Sequence, residues 1–530
     1  MTMEIERLKF SLNAGHMSRR EFLGHASALG LGAAAVSLLP GSAAADTPIK
    51  GGHLKTGISG GGSTDSLDPA LASSDAIIPV LRHWGETLVN VTPSGGLEHR
   101  LAEEVASSDG VNWQFKIRKG VEFHNGKSLT VEDVVKTIQR HSDEKSKSAV
   151  RGLLTAIDRV SADGDTLKIV LKDANADFPY YLTDYHLVIQ PNGGQDGPAS
   201  GVGSGAYVVE ANHPGERYEF RKFPNYWDPN IGHVAESELL VINDSTARNG
   251  ALQSGQVHMV NSVDPKVAHL LKGIPGISIK NVSSRGHRVF NMLVDIPPFD
   301  NEDLRMALKL AVDREEMVEK IFAGYGSVGN DMPVNANYPL FDDSIPQRRF
   351  DPKQAASYYK KSGHDGTPIV LHAAEAAFAG AVDAAQLFQQ SAAKAGIPIE
   401  IRREPNDGYW SEVWMKQPFC AASWAGRPTQ DQMYSTGYLS TADWNDTHFK
   451  NSDFDRLLIE ARSELDSVKR KELYGKMGRI LRDKGGNISL VFFDFIDAVS
   501  DKVAGFIPDP NFGLMNNMAG LKCWLVKPAE

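Results

Sequence analysis

Two hydrophobic periods, one of two residues and one of about 3.6, alternate along most of the chain. The first occurs where Trp113, Phe115 and Ile117 fall on one face of a strand. The second occurs in the helix that follows, where Thr130 precedes Asp133 by three positions in a capping-box pattern and opens an apolar stripe. Strands and helices interleaved in this way predict an α/β protein.

The same two periods predict further elements along the chain. Strands are expected at His53–Ile58, Trp113–Arg118, Thr166–Leu171, Ile369–His372, Ile399–Ile401 and Ile488–Phe493. Helices are expected from a cap at Asp300 or Asn301 to Gly324, and over Ala381–Ala395, Ser452–Leu465 and Ser467–Asp483. A stretch rich in Gly, Pro and Ser at residues 190–205 predicts a loop between units. No repeat of fixed period occurs, which excludes a solenoid or a propeller.

The composition indicates an ordinary soluble protein of several domains. The 530 residues include 56 Lys and Arg against 66 Asp and Glu, for a formal net charge of −10. The length corresponds to about three domains. The acidic balance disfavours nucleic-acid binding, which needs clustered basic residues. No run of about 18 apolar residues occurs that would predict a membrane span.

The N-terminus has the three parts of an export signal. Arg19-Arg20 precede Phe22-Leu23, an apolar stretch runs from Ala26 to Leu39, and small residues precede Asp46. The paired arginines indicate a twin-arginine-type signal peptide over residues 1–45, cleaved near Ala45-Asp46, and therefore a periplasmic protein. In an oxidising periplasm Cys420 and Cys523 could form a disulfide or remain two separate buried thiols, and the sequence leaves both open.

Catalytic motifs are few, and none is convincing. Residues 57–61 match the G-x-S-x-G pattern around Ser59, but no helix is predicted directly after it, so a loop is the better interpretation. A phosphate-loop-like stretch at residues 120–128 is one residue too long, and Asn125-Gly126 is interpreted as a turn. The 16 histidines show no metalloprotease spacing. We therefore expect binding rather than catalysis, with no cofactor and no metal held directly by the protein.

Several segments, in order, resemble the large solute-binding proteins of ATP-binding-cassette (ABC) importers. This family-5 type includes dipeptide, oligopeptide and nickel binders. The segments that carry the resemblance are residues 101–126, 129–135, 203–209, 223–227, 251–257, 290–291, 298–299, 304–308 and 311–314. The likeness extends from about residue 50 to residue 506.

The resemblance implies an architecture: a periplasmic-binding-protein-like two-lobe fold of the large cluster C type, with an extra inserted domain and a two-segment hinge. Ligand would bind between the lobes. The expected crossings lie near residues 284–292 and 488–497. The expected segments are 46–88, 190–287 and 493–530 for lobe I, 89–189 for the inserted domain, and 288–492 for lobe II.

The resemblance also implies where the ligand binds. Peptide-binding members have a Trp near the ligand and, three residues later, an Asp that pairs with the peptide ammonium. Here Trp424 matches the Trp, but Arg427 occupies the position of the Asp. A guanidinium there favours a carboxylate or phosphate over an ammonium, unless Asp431 takes the role of the missing Asp.

Weaker ligand-binding candidates come from the neighbourhood of the expected cleft. Alternative roles, in core packing or hinge hydrogen bonding, stay open for each of them. The candidates are Asn291 and Asp494 at the two crossings, Ser74 and Asp75 in an early loop, and Trp410 as a stacking surface beside Tyr409 and Trp414.

The function expected from the sequence is a monomeric periplasmic receptor that delivers a ligand to an inner-membrane ABC permease. The ligand would be a small peptide-like, opine-like or otherwise carboxylated molecule. Two alternatives remain: a receptor for a metal chelate or haem, of the nickel-binder kind, and a secreted hydrolase using Ser59.

Overall fold

The computed structural model describes residues 47–526. The predicted signal peptide, residues 1–45, lies outside the described residues. The strands are β1 His53–Ile58, β2 Val89–Val91, β3 Leu97–His99, β4 Ala102–Ala106, β5 Asn112–Ile117, β6 Ile157–Asp163, β7 Thr166–Leu171, β8 Tyr207–His213, β9 Arg217–Lys222, β10 Glu236–Val241, β11 Met259–Val260, β12 Ile277–Met292, β13 Gly326–Val328, β14 Ile369–Ala373, β15 Ile399–Arg403, β16 Phe419–Trp424, β17 Asn487–Ser500, β18 Val503–Ala504 and β19 Trp524–Leu525.

The helices are interleaved with these strands. They are α1 Ile77–Trp84, α2 Val131–Ser142, α3 Arg151–Leu154, α4 Phe178–Tyr181, α5 Ser245–Gln253, α6 Pro265–Lys272, α7 Glu302–Leu310, α8 Arg314–Lys320, α9 Pro352–Ser362, α10 Ala381–Ala393, α11 Tyr409–Glu412, α12 Gln430–Gly437, α13 Ser452–Ser463, α14 Ser467–Lys484 and α15 Ala519–Lys522. Short 3-10 turns occur at Pro69–Leu71, Tyr185–Leu187 and Pro191–Gly194.

One eleven-stranded sheet passes through both lobes. Its order is β15-β14-β16-β12-β17-β11-β1-β10-β9-β8, with β13 also paired to β17. Lobe I contains β1 and β8–β11, and lobe II contains β13–β16. The long antiparallel strands β12 and β17 belong to both, because β12 pairs with β17 from Ile277↔Ser500 in lobe I to Asn291↔Asn487 in lobe II.

The hinge lies where this long ribbon is irregular. The register of β12 against β17 shifts between Ser283 and His287, which leaves Ser284, Arg285 and Gly286 as a bulge. A Cβ on Gly286 would lie 2.3 Å from Cζ of Phe493, so only glycine allows this close approach. The two lobes are therefore joined by a continuous but bulged pair of strands.

The segment between lobe I strands β1 and β8 has a sheet and a core of its own. Its sheet has the order β4-β5-β7-β6. Its core consists of buried residues between Leu88 and Ile189, with Trp227 packed against it. This segment is called the inserted domain below.

Local signals in the sequence agree closely with the elements observed. Thr130 and Asp133 form a capping box at the start of α2, as predicted. The helix predicted from Asn301 to Gly324 is instead two helices. It ends after Leu310, and α8 begins anew with Asp313 as its cap.

The two cysteines are separate buried thiols. Cys420 belongs to the lobe II core and Cys523 to the lobe I core. Burial raises the pKa of both thiols to about 12. Of the two alternatives left open by the sequence, the structure has the one without a disulfide.

Candidate functional site

Arg427 lies in lobe II, on the loop that follows β16. Its backbone N–H donates to the Tyr338 hydroxyl at 3.1 Å. Its guanidinium donates only to carbonyl oxygens of its own loop, Ala425 at 3.3 Å and Gly426 at 3.2 Å. Burial lowers the pKa of Arg427, and no carboxylate of residues 47–526 forms an ion pair with it. A guanidinium without an ion pair is able to bind an anion, and this role of Arg427 stays a prediction.

A second arginine of lobe II, Arg288, was missed by sequence reasoning. Its guanidinium carbon lies 4.0 Å from the ring centre of Phe493 and 5.7 Å from that of Phe378. Within residues 47–526 it makes neither a hydrogen bond nor an ion pair, and burial lowers its pKa to about 10. A charged residue within the hydrophobic run of a predicted hinge strand was the signal that could have identified it.

Ser74 and Asp75 lie in lobe I, just before α1. The Ser74 hydroxyl accepts from the backbone N–H of Ile77, so this side chain supports the start of α1. Asp75 makes no hydrogen bond or ion pair within the described chain. Its side chain is accessible, yet the protein around it excludes enough water to raise its pKa. That combination is typical of a cleft.

The charge of Asp184 acts on residues of two parts of the chain, Tyr185 beside it and Arg427 in lobe II. This carboxylate and that of Asp75 both act to raise the pKa of Tyr185. The charge of Asp184 also acts on Arg427, against the lowering effect of burial.

Asp494 lies on the hinge itself. It pairs in register with Ser283, the last regular residue of β12 before the bulge. Its carboxyl is half-buried, and burial raises its pKa although the nearby Asn281 side chain acts to lower it. Both roles considered from the sequence, a ligand contact and a hinge hydrogen bond, are compatible with this position.

Trp424 and Asn291 lie in the interior of lobe II and meet at Asp446, a residue that the sequence analysis did not select. The Oδ2 atom of Asp446 accepts from Asn291 at 2.6 Å, from the Trp424 indole at 2.9 Å and from the Trp414 indole at 3.0 Å. The Asn291 Oδ1 atom accepts from Asn487. Asn291 is 1% exposed, so its amide serves the core rather than the cleft in this conformation.

Burial raises the pKa of Asp446 to about 7, although its hydrogen bonds with the two tryptophans act to lower it. The Trp424 side chain is only 4% exposed. Of its two expected roles, ligand contact and core packing, the packing role is the one seen.

Asp431 does not face the cleft. It is fully buried, and its Oδ1 atom accepts from Nε of Arg462 at 3.0 Å. It therefore leaves no surface for a ligand ammonium in this conformation, and its role in ligand binding stays a prediction. Arg427 remains the charged residue at the position that the resemblance indicates.

Trp410 lies on the surface of lobe II and is 44% exposed. Its ring packs edge-on against Trp414, with centroids 5.7 Å apart. Trp414 in turn contacts Trp424 and Trp444. No described contact connects Trp410 with the charged residues of the cleft, and its role as a stacking surface stays a prediction.

The geometry around Ser59 does not resemble a nucleophile elbow. The hydroxyl lies 3.3 Å from Oδ1 of Asn261, and the backbone N–H donates to the same atom. No α-helix begins between β1 and Ile77. The partner of the hydroxyl is thus an amide rather than the imidazole that would activate it.

Two further searches concern the part of the chain that the structure describes. Within residues 47–526 no group of three or more His, Cys, Asp or Glu side chains is arranged to hold a metal ion. No helix in that range is both long and apolar enough to cross a membrane.

The chain matches bacterial extracellular solute-binding proteins, family 5 Middle, over residues 96–446. Glutathione-binding protein GsiB of Shigella flexneri is 24% identical over 481 residues, covering 85% of this chain and 92% of the relative.

Two solved structures show the same fold. DppA of Helicobacter pylori, in complex with peptide STSA, has a TM-score of 0.74 and 21% identity, covering 91% of this chain and 99% of the other. AgaA of A. tumefaciens R10, in complex with agropinic acid, has a TM-score of 0.73 and 22% identity, covering 90% and 99%. The family match and the shared fold lead to one conclusion: the chain belongs to family 5 of the bacterial extracellular solute-binding proteins and is the solute receptor of an ABC importer.

Proposed function

We propose that this receptor binds a small organic solute through a carboxylate of that solute, and that it catalyses no reaction. The observation that carries the proposal is that the Arg427 guanidinium forms no ion pair with a carboxylate of residues 47–526 and donates only to carbonyl oxygens of its own loop. A carboxylate can accept two parallel N–H···O bonds from such a group. The names of the relatives support acidic ligands, since glutathione and agropinic acid are both acids.

The proposal includes the compartment and the partner. Residues 1–45 direct export through the twin-arginine route, and the mature monomer releases its ligand to an inner-membrane permease. The basic pair and the apolar stretch support the export step. The net charge of −10 supports the absence of a nucleic-acid partner. Replacing Arg19-Arg20 with two lysines should leave the precursor in the cytoplasm, which cell fractionation measures.

The direct test is mass spectrometry of the ligand that remains bound through purification. We expect an acidic molecule of low mass. A ligand at 100 times its Kd should raise the free energy of unfolding by about 2.7 kcal/mol, which a thermal-shift assay detects. A neutral or purely cationic co-purified ligand would contradict the proposal, and a metal found in stoichiometric amount would favour a chelate receptor.

A further inference from the structure

Lobe II has a cavity of about 680 Å³ at the opposite end of its sheet from Arg427. Pro418, which lines the cavity, comes directly before β16, and Arg427 follows the other end of that strand. The six residues of β16 span about 20 Å. β14 is parallel to β16, and residues at its start line the cavity too. The cavity therefore lies at the amino ends of these strands, whereas open α/β sheets usually bind ligands beyond the carboxyl ends.

The walls of this space, called the β14 cavity below, are mostly apolar and rich in proline. Proline has no N–H group, so it can line a cavity but cannot donate a hydrogen bond from its backbone. A volume of about 680 Å³ is typical of cavities that hold small organic ligands. The walls therefore suit the apolar part of a small molecule. They include Pro297, Pro298, Pro368 and Pro418, together with Phe299 and Val370.

Two basic side chains lie next to each other in the lining of the β14 cavity. His372 of β14 and Arg402 of β15 are partners in the parallel register, so their side chains leave the sheet on the same face. Nδ1 of His372 lies 2.7 Å from Oε1 of Glu404, which fixes the orientation of the imidazole ring. Within residues 47–526, Nε2 of His372 and the exposed guanidinium of Arg402 form neither a hydrogen bond nor an ion pair. Both groups are therefore available to a ligand in the cavity.

The carboxylates near the cavity already have partners. Asp365, at the rim, is 77% exposed, and its Oδ1 atom lies 3.8 Å from Nδ1 of His364. The same oxygen accepts from the backbone N–H of Thr367 at 2.9 Å. Glu404 is occupied by His372. Among the described residues, the lining thus offers an anion an unpaired guanidinium, which can donate two parallel N–H···O bonds to a carboxylate.

We propose that the β14 cavity is a second binding site, specific for a small monocarboxylate with an apolar body. Arg402 binds the carboxylate beside the ring of His372, and the apolar body packs among the prolines. The site is separate from the cleft between the lobes and does not depend on the function proposed above. Its occupancy should therefore be unaffected by substitutions near the hinge.

The experiment is a titration by fluorine NMR with three probes of the same apolar body. The probes are 4-fluorophenylacetate, the uncharged 4-fluorophenylacetamide and the cationic 2-(4-fluorophenyl)ethylamine. The carboxylate should show saturable binding with a Kd of about 1 mM or tighter. The amide should bind at least about tenfold more weakly, and the amine should not saturate, because neither can accept paired bonds from a guanidinium. An amide that binds as tightly as the carboxylate would overturn the proposal, as would a carboxylate that does not saturate.

Variants place the probe in the β14 cavity rather than near Arg427. Arg402→Gln should weaken 4-fluorophenylacetate at least about tenfold, and Arg402→Lys should recover part of the loss. Arg403→Gln is the matched control, because Arg403 is the next residue of β15, is also exposed, and leaves the sheet on the opposite face. Arg403→Gln and Arg427→Ala should each change the affinity by less than about threefold.

The same variants give the result that would overturn the assignment. An unliganded melting temperature equal to that of the unsubstituted protein shows that a variant folds, and the exposed position of Arg402 favours this outcome. Unchanged affinity in a folded Arg402→Gln protein would place the probe elsewhere. Loss of binding in Arg427→Ala, with Arg402→Gln unaffected, would assign it to the region around Arg427.

Discussion

The carboxylate of Asp177, in the inserted domain, lies 2.7 Å from the guanidinium of Arg470, in lobe II. Both side chains are nearly buried, at 5% and 10% exposure. Beside them the backbone N–H of Ala176 donates to the carbonyl of Arg462 at 2.7 Å. These contacts join the inserted domain to lobe II. We expect them to act as a latch that holds the two parts together when the lobes are closed.

Removing the latch should favour the open form. Asp177→Ala leaves Arg470 buried without its counter-charge only when the lobes are closed, so ligand dissociation should accelerate about tenfold or more. Stopped-flow dissociation measures the rate, and small-angle scattering of the unliganded protein should show a larger radius of gyration. Asp343→Ala is the control, because Asp343 lies 3.7 Å from Lys471 on the surface. Equal rates for both variants would show that the latch does not hold the closed form.

Substituting Arg427 tests the anion site directly. Arg427→Ala should weaken an acidic ligand by about 2–5 kcal/mol, because the enclosed carboxylate loses its partner. Arg427→Lys should recover part of this, since an ammonium keeps the charge but not the paired donors. Calorimetric titration measures both affinities. A ligand bound equally well by all three proteins would place Arg427 outside the site.

Asp446 should make tryptophan fluorescence depend on pH. Its pKa of about 7 lies close to neutrality, and its Oδ2 atom accepts from both Trp414 and Trp424. We therefore expect the tryptophan emission to change with a midpoint near pH 7. The other polar groups near this carboxyl are Asn291, which donates to it, and His448. Asp446→Asn should abolish the transition. Its persistence in that variant would assign it to another group.

The same carboxyl has a defined effect on stability. Because its pKa is raised in the folded state, protonation favours folding, and this contribution is complete below about pH 4. It is lost as the pH rises from about 4 to about 7, at up to about 1.4 kcal/mol per pH unit. Urea unfolding of Asp446→Asn and of the unsubstituted protein at several pH values isolates this contribution. A difference that does not change with pH would contradict it.

The two thiols should be inert in the folded protein. Cys420 and Cys523 are 2% and 0% exposed, and the pKa of each is raised to about 12. A thiol reagent such as DTNB should detect none in buffer and two in denaturant, without a reducing agent. Fewer than two thiols in denaturant would indicate a disulfide.

The sequence predicted well what depends on near neighbours. The capping box of Thr130 and Asp133 needs only residues three apart, and the charge at Arg427 follows from a short motif. The partners of Asn291 and Asp431 could not be predicted because they are distant in the chain. Asn291 bonds to Asp446, 155 residues later, and Asp431 to Arg462, 31 residues later. Pairing of this kind is set by the tertiary fold, and a single sequence does not reveal it.

Arg288 was missed for a related reason. A strand residue is normally assigned to core or solvent by its alternation, but the bulge at residues 284–286 interrupts the register just before it. The boundary between α7 and α8 was missed because residues 311–313 continue the apolar period while the backbone leaves the helix. In both places a local backbone irregularity overrides the hydrophobic pattern.

The bulged ribbon of β12 and β17 has a mechanical consequence. Asp494 is paired with the residue just before the bulge, and Arg288 lies just after it. The pivot thus carries charged side chains on either side of its own bending point. A ligand that contacts both side chains would restrict bending of the hinge directly, in addition to filling the space between the lobes. Substitutions at these two positions would change which ligand restricts the hinge. The backbone hydrogen bonds between β12 and β17 would stay the same.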